Sequence, residues 1–121
     1  MSRKALVVDD SLSMRQMLAY TLQQAGFEVL QGAHGKEGLK QLEGGKVDLV
    51  ITDLNMPEMD GITFIRSLRT LDTCRFTPVL MLTTESQESK KLEGKAAGAT
   101  GWIVKPFDPE KLLAVVKRLV A

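Results

Sequence analysis

A single cysteine, Cys74, stands in the whole sequence. No internal disulfide can form, which fits a reducing, cytoplasmic setting. Aromatic residues are scarce at 5%, with one tryptophan and one tyrosine, so the interior must be built largely from aliphatic side chains. Neither sign of charge dominates: Lys and Arg number 16 against 15 acids, for a net charge of +1. The basic residues alternate with acids, which argues against a nucleic-acid or membrane partner. Long hydrophobic runs are also missing. Stretches such as Leu112–Val116 are far too short to span a bilayer. Arg3 and Lys4 precede an apolar run, but Asp9 and Asp10 end it after Val8, which is not a signal-peptide pattern. There is no internal repeat, low-complexity run or linker. The expectation is one cytoplasmic, monomeric domain over residues 1–121, large enough for a real hydrophobic core.

What the chain does contain is an alternation, repeated five times, of short apolar runs and amphipathic segments. Ala5–Val8 reads as a buried strand. Met14, Leu18, Leu22 and Ala25 then share one helical face, with Gly26 as a stop. Glu28–Leu30 is a weaker strand, followed by a short helix over Lys36–Leu42 that Gly44-Gly45 ends. Val47–Thr52 is the third strand, and Ile62, Ile65 and Leu68 mark the helix after it. Pro78–Leu82 is the fourth, with its proline acceptable only at the beginning. Residues 86–97 read as a loosely held helix, because their apolar surface is chiefly Leu92, Ala96 and Ala97 and Gly94 interrupts them. Gly101–Val104 is the fifth strand, and Pro109 opens a last helix faced by Leu112, Val116 and Leu119. Such alternation with short connections predicts right-handed crossovers and a parallel sheet covered on both faces.

In open parallel sheets the carboxyl ends of the strands form the site. Here those ends carry Asp9-Asp10, Asp53, Thr83-Thr84 and Lys105-Pro106. Three carboxylates at close range repel unless cations intervene. Lys105 and a divalent ion would neutralise them, and hard oxygen ligands suit Mg²⁺ or Mn²⁺ better than zinc. Zinc is further disfavoured because His34 and Cys74 are each solitary and far in sequence from these strand ends. A metal beside a lysine and a hydroxyl is what a transferring phosphoryl group needs, and a central carboxylate there can act as nucleophile. Plainer readings compete at each position. Asp60 can close an Asx-turn or cap a helix, Asp9-Asp10 can cap the first helix, and a lone Lys105 can be solvated. The joint occurrence at four strand ends is what carries weight.

Val8-Asp9-Asp10, Asp53–Gly61, Leu82–Glu85 and Val104–Phe107, in this order, resemble the receiver domains of two-component response regulators, most closely the single-domain chemotaxis kind. The resemblance covers essentially the whole chain. It implies a flavodoxin-like (βα)5 fold, a doubly wound five-stranded parallel sheet in order 2-1-3-4-5, as one receiver domain without an output domain. By the same resemblance Asp53 is the phosphoacceptor. Asp10, Asp53 and the main-chain carbonyl of Asn55 bind Mg²⁺ directly, and Asp9 acts through water. Lys105 pairs with a phosphoryl oxygen, Thr83 swings its hydroxyl onto it, and the N–H of Thr84 helps. Trp102 takes the place of the switch aromatic, where tyrosine, phenylalanine or histidine is commoner. Asn55 and Glu85 tune the lifetime of the acyl phosphate. Lys105-Pro106 matches the family's cis-peptide turn.

The implied function is a non-enzymatic switch. It takes a phosphoryl group from a chemotaxis-type histidine kinase and alters its affinity for a partner such as the flagellar motor switch, with a phosphatase as a further partner. The docking surface falls on the fourth helix, fifth strand and fifth helix, with Lys90, Lys91, Lys95, Trp102, Val104 and Val115; a merely solvated lysine face competes with it. A phosphorelay intermediate is the nearest alternative. A Mg²⁺-dependent phosphohydrolase would want a second Asp at position 55, which is Asn. A flavin module would find its phosphate repelled by Asp9-Asp10. His34 lies in a turn-like setting unsuited to a phosphodonor.

Overall fold

Each apolar run forms a strand and each amphipathic segment a helix in the structure, a computed structural model describing residues 3–84 and 87–120. In chain order the elements are β1 (Arg3–Val8), α1 (Leu12–Gln24), β2 (Phe27–Gly32), α2 (Gly35–Leu42), β3 (Leu49–Thr52), α3 (Gly61–Leu68), β4 (Val79–Thr83), α4 (Glu88–Ala97), β5 (Gly101–Val104) and α5 (Pro109–Val120). The strands are parallel in the order β2-β1-β3-β4-β5, a flavodoxin-like arrangement. The Lys105-Pro106 peptide is cis.

Alternation along the strands divides the interior in two. Leu6, Val8, Val50, Val79 and Met81 face a cluster completed by Phe64, Ile65 and Leu68 of α3. Ala5, Val7, Leu49, Ile51, Leu80 and Leu82 face Leu18 and Leu22 of α1 and Leu112 and Val116 of α5. The three central strands are buried on both sides, which is why they read as continuous apolar runs. β5 lies at an edge and is only half buried.

Several expectations need correction. β3 begins at Leu49, and Val47 is buried before it without joining the ladder. Ala25 lies beyond α1 as its C-cap and is exposed. A 3-10 turn, Asp72–Cys74, follows α3 where no element was expected, with Thr70, Leu71 and Cys74 N–H groups bonded three residues back. In α4, Leu92 is 61% exposed and Ala96 is also exposed, so Ala97 and Gly94 are what the helix buries. Among the described residues no helix is long and apolar enough to cross a membrane.

Candidate functional site

Parallel pairing sends every carboxyl end to one rim. Val8 of β1 lies opposite Thr52 of β3, so the residues that follow, Asp9 and Asp53, emerge side by side. The Asp53 N–H donates to the Val8 carbonyl at 2.9 Å, continuing the ladder one step. Carboxylate oxygens of Asp9, Asp10 and Asp53 all lie within 4.8 Å of one another. Asp9 and Asp53 are buried while Asp10 is exposed. From the far edge Lys105 reaches in: its Nζ is 2.8 Å from Asp9 Oδ2 and 3.2 Å from Asp53 Oδ2. Its own N–H donates to the Thr83 carbonyl at 2.8 Å, which fixes the root of the side chain to the end of β4.

Burial alone pushes the Lys105 ammonium down, but the Asp9 hydrogen bond and the charges of Asp53 and Asp9 outweigh it and hold the pKa above the ordinary lysine value. Lys105 therefore stays charged through the neutral range. The other oxygen of each buried carboxylate is also engaged. Asp9 Oδ1 accepts from Ser11 N–H at 2.9 Å, and Asp53 Oδ1 accepts from Leu54 N–H at 2.7 Å. Both carboxylates are thus held at fixed orientation from two sides. The Asp9 carbonyl is held as well, accepting from Arg15 Nη1 at 2.7 Å.

The capping alternatives resolve individually. Ser11, not Asp9 or Asp10, caps α1, its Oγ accepting from Met14 N–H at 3.3 Å. Asp60 does cap α3, accepting from Thr63 N–H at 2.8 Å, so its role is structural. Gly61 is required by proximity: a Cβ there would overlap the Asp53 carbonyl oxygen. Its N–H donates to the Leu54 carbonyl at 2.7 Å, drawing α3 tightly under the carboxylate.

Thr83 ends β4, fully buried, with Thr84 exposed beside it. Asn55 is exposed in the β3–α3 connection, and Glu85 lies outside the described residues. Lys91, Lys95 and Trp102 come together around a cavity of about 250 Å³ between α4 and β5. Val104 is 39% exposed at the end of β5. Val115, half-buried on α5, packs with the core on the opposite face of the sheet.

Three hard carboxylates sharing one ammonium leave a negative excess that a divalent cation would cancel. No histidine or cysteine joins the cluster among the described residues. The donor set therefore fits Mg²⁺ or Mn²⁺. The model of the response regulator receiver domain family matches residues 5–117. The chain is a response regulator receiver domain. It is 39% identical over 90% of its length to the chemotaxis protein CheY1 of Helicobacter pylori, 90% of which it covers. The structure of the Vibrio cholerae chemotaxis protein CheY4 superposes with a TM-score of 0.95 at 50% identity, covering 98% of this receiver and 99% of that chain. The receiver is also 38% identical to the alkaline phosphatase synthesis transcriptional regulatory protein PhoP of Bacillus subtilis, but spans only 49% of that protein's length.

Sequence reasoning missed the support behind the rim. His34 caps α2, its Nδ1 accepting from Glu37 N–H at 3.3 Å, while its Nε2 lies 3.2 Å from Glu58 Oε2. Glu58 sits at φ 67 in the connection after Asp53, where Met59 N–H turns back to the Pro57 carbonyl at 2.7 Å. A histidine just past the carboxyl end of β2 is therefore next to the loop that follows Asp53. Its setting in Ala33-His34-Gly35 before a helix was the signal available.

Proposed function

We propose that this receiver accepts a phosphoryl group on Asp53 from the phosphohistidine of a histidine kinase, and that Mg²⁺ is required. The observation that carries this reading is the Asp53 carboxylate, held at a strand end against the Lys105 ammonium and within reach of Asp9 and Asp10. An Asp53 oxygen attacks phosphorus, the N–P bond of the donor breaks, and its electron pair returns to the imidazole. Lys105, shared between Asp9 and Asp53 beforehand, pairs with a phosphoryl oxygen as charge arrives there. Asp10, Asp53 and the Asn55 carbonyl would hold Mg²⁺, with Asp9 acting through water; the ion supplies charge neutralisation during transfer. The Thr83 hydroxyl and Thr84 N–H bond the new phosphoryl oxygens.

Those contacts exist only in the phosphorylated form, so they can shift a two-state equilibrium that includes Trp102. Asn55 and Glu85 set how long the acyl phosphate lasts. Output through chemotaxis, with the flagellar motor switch as partner, is supported by the chemotaxis relatives that the receiver spans nearly end to end. The partner would dock on Lys91, Lys95, Trp102 and Val104 and reach Val115 of α5 around the β5 edge of the sheet.

Incubation with acetyl phosphate and Mg²⁺, followed by intact mass measurement, tests the chemistry. The wild-type protein should gain one phosphoryl group, chelation with EDTA should prevent it, and Asp53→Asn should gain none. Equal modification of Asp53→Asn and wild type would overturn the assignment.

A further inference from the structure

The middle of α4 holds a residue that a helix interior disfavours. Gly94 has neither a side chain to pack nor a restricted backbone, and only proline is worse there. Yet it is one of two buried positions in the helix, with Ala97. Its neighbour explains this. A Cβ at Gly94 would stand 3.0 Å from Cζ3 and 3.5 Å from Cε3 of Trp102. The benzo edge of the indole thus lies in the gap left by the missing side chain. Lys91 and Lys95, on the same side of the helix, line the cavity that Trp102 borders. Behind the indole, β5 is an edge strand, and Trp102 pairs with Met81 of β4. The tryptophan is therefore seated in a notch whose floor is the bare Cα of Gly94.

We propose that Gly94 is the positioning residue of the switch: its notch sets where the Trp102 indole rests in the unphosphorylated receiver. The inference builds on the reading of Trp102 as an element coupled to phosphorylation. A methyl group at position 94 would be tighter against the ring than ordinary packing allows, so ring or helix must give way. The carboxyl half of α4, where Gly94 lies, is tied to Arg69 through the Gly98 carbonyl, whereas the indole borders open space. The methyl would displace the resting indole and shift the balance between its positions.

Trp102 is the single tryptophan, so its emission reports its surroundings directly. Wild type and Gly94→Ala are compared by emission maximum and acrylamide quenching, before and after treatment with acetyl phosphate and Mg²⁺, with intact mass recording the extent of phosphorylation. Gly94→Ala should be phosphorylated to the same extent, start from a shifted emission maximum, and lose most of the change that phosphorylation produces in wild type. If wild type itself shows no change, the Trp102 reading fails and this inference with it. If wild type responds and Gly94→Ala matches it before and after treatment, the Trp102 reading stands and the role of Gly94 is overturned. Loss of phosphorylation in Gly94→Ala would tie the glycine to the Asp53 chemistry and overturn it as well.

Thermal unfolding gives a second, independent arm. In a Trp102→Ala background, Gly94→Ala should raise Tm by about 3–5 °C, the usual helix gain for a domain of this size. Beside the intact indole it should raise Tm little or not at all. Equal increments in the two backgrounds would show that the glycine and the ring are uncoupled.

Discussion

α3 and α4 lie against each other on one face of the sheet, eight and ten residues long, and are held in place quite differently. α3 buries Ile62, Phe64, Ile65 and Leu68, and Asp60 caps its start. Each such side chain contributes about 1.5–3 kcal/mol by leaving water. α4 buries only Gly94 and Ala97, and its one large aliphatic residue, Leu92, points mostly into solvent. What fixes α4 is at its far end. The Gly98 carbonyl accepts from Arg69 Nη2 at 2.6 Å, and Nη1 of the same guanidinium donates to the Cys74 carbonyl at 2.7 Å. The helix that follows Asp53 is anchored along its length, whereas the helix that follows Thr83-Thr84 is anchored at its carboxyl end. The proposed function would use both: a rigid seat for the carboxylate, and a neighbouring element that a few new hydrogen bonds can bias.

Substitutions can break this contrast, and their expected effects fall in a definite order. Phe64→Ala should destabilise the protein by about 3–5 kcal/mol, measured by urea unfolding; a loss below about 1 kcal/mol would mean that α3 is no anchor. Arg69→Ala removes the tie between α3 and the end of α4, and should cost about 1–3 kcal/mol by leaving carbonyls unpaired. In hydrogen exchange it should speed the α4 amides while those of α3 keep their protection; uniform acceleration of both helices would contradict an anchor specific to α4. Leu92→Ala should stay within about 0.5 kcal/mol of wild type. A larger loss would show that α4 packs more of its surface than its exposure indicates.

The rim was legible in the sequence because a parallel sheet converts position along the chain into position in space. Once five runs were recognised as parallel strands, Asp9, Asp53, Thr83 and Lys105 had to meet at one edge. Asp60 was likewise readable as a cap from its place before Gly61 and Ile62. What could not be read depends on connections converging from separate units. Arg69 finds the Gly98 carbonyl, and His34 finds Glu58, only after the helices have packed. Gly94 shows an intermediate case: its cost in a helix was visible, but its reason, the indole above it, was not. The exposure of Leu92 was missed for a related cause. An apolar residue in a helix was taken to mark the buried face, but the sheet contacts α4 through its small residues.

The imidazole of His34 adds a last consequence. A ring nitrogen that accepts a hydrogen bond has its lone pair in use, so with Nδ1 engaged by Glu37 N–H the imidazole carries its proton on Nε2, facing Glu58 Oε2. The loop between Asp53 and α3 is therefore latched to α2 by an ordinary short-range hydrogen bond. Lys36 approaches the same carboxylate at 3.8 Å, but both of these groups are largely exposed. Dissolved salt screens such an exposed pair, and the His34 side chain, at 21% exposure, is the better shielded partner of Glu58. The connection between Asp53 and α3 thus meets α2 through both oxygens of one carboxylate, Oε2 at His34 and Oε1 at Lys36.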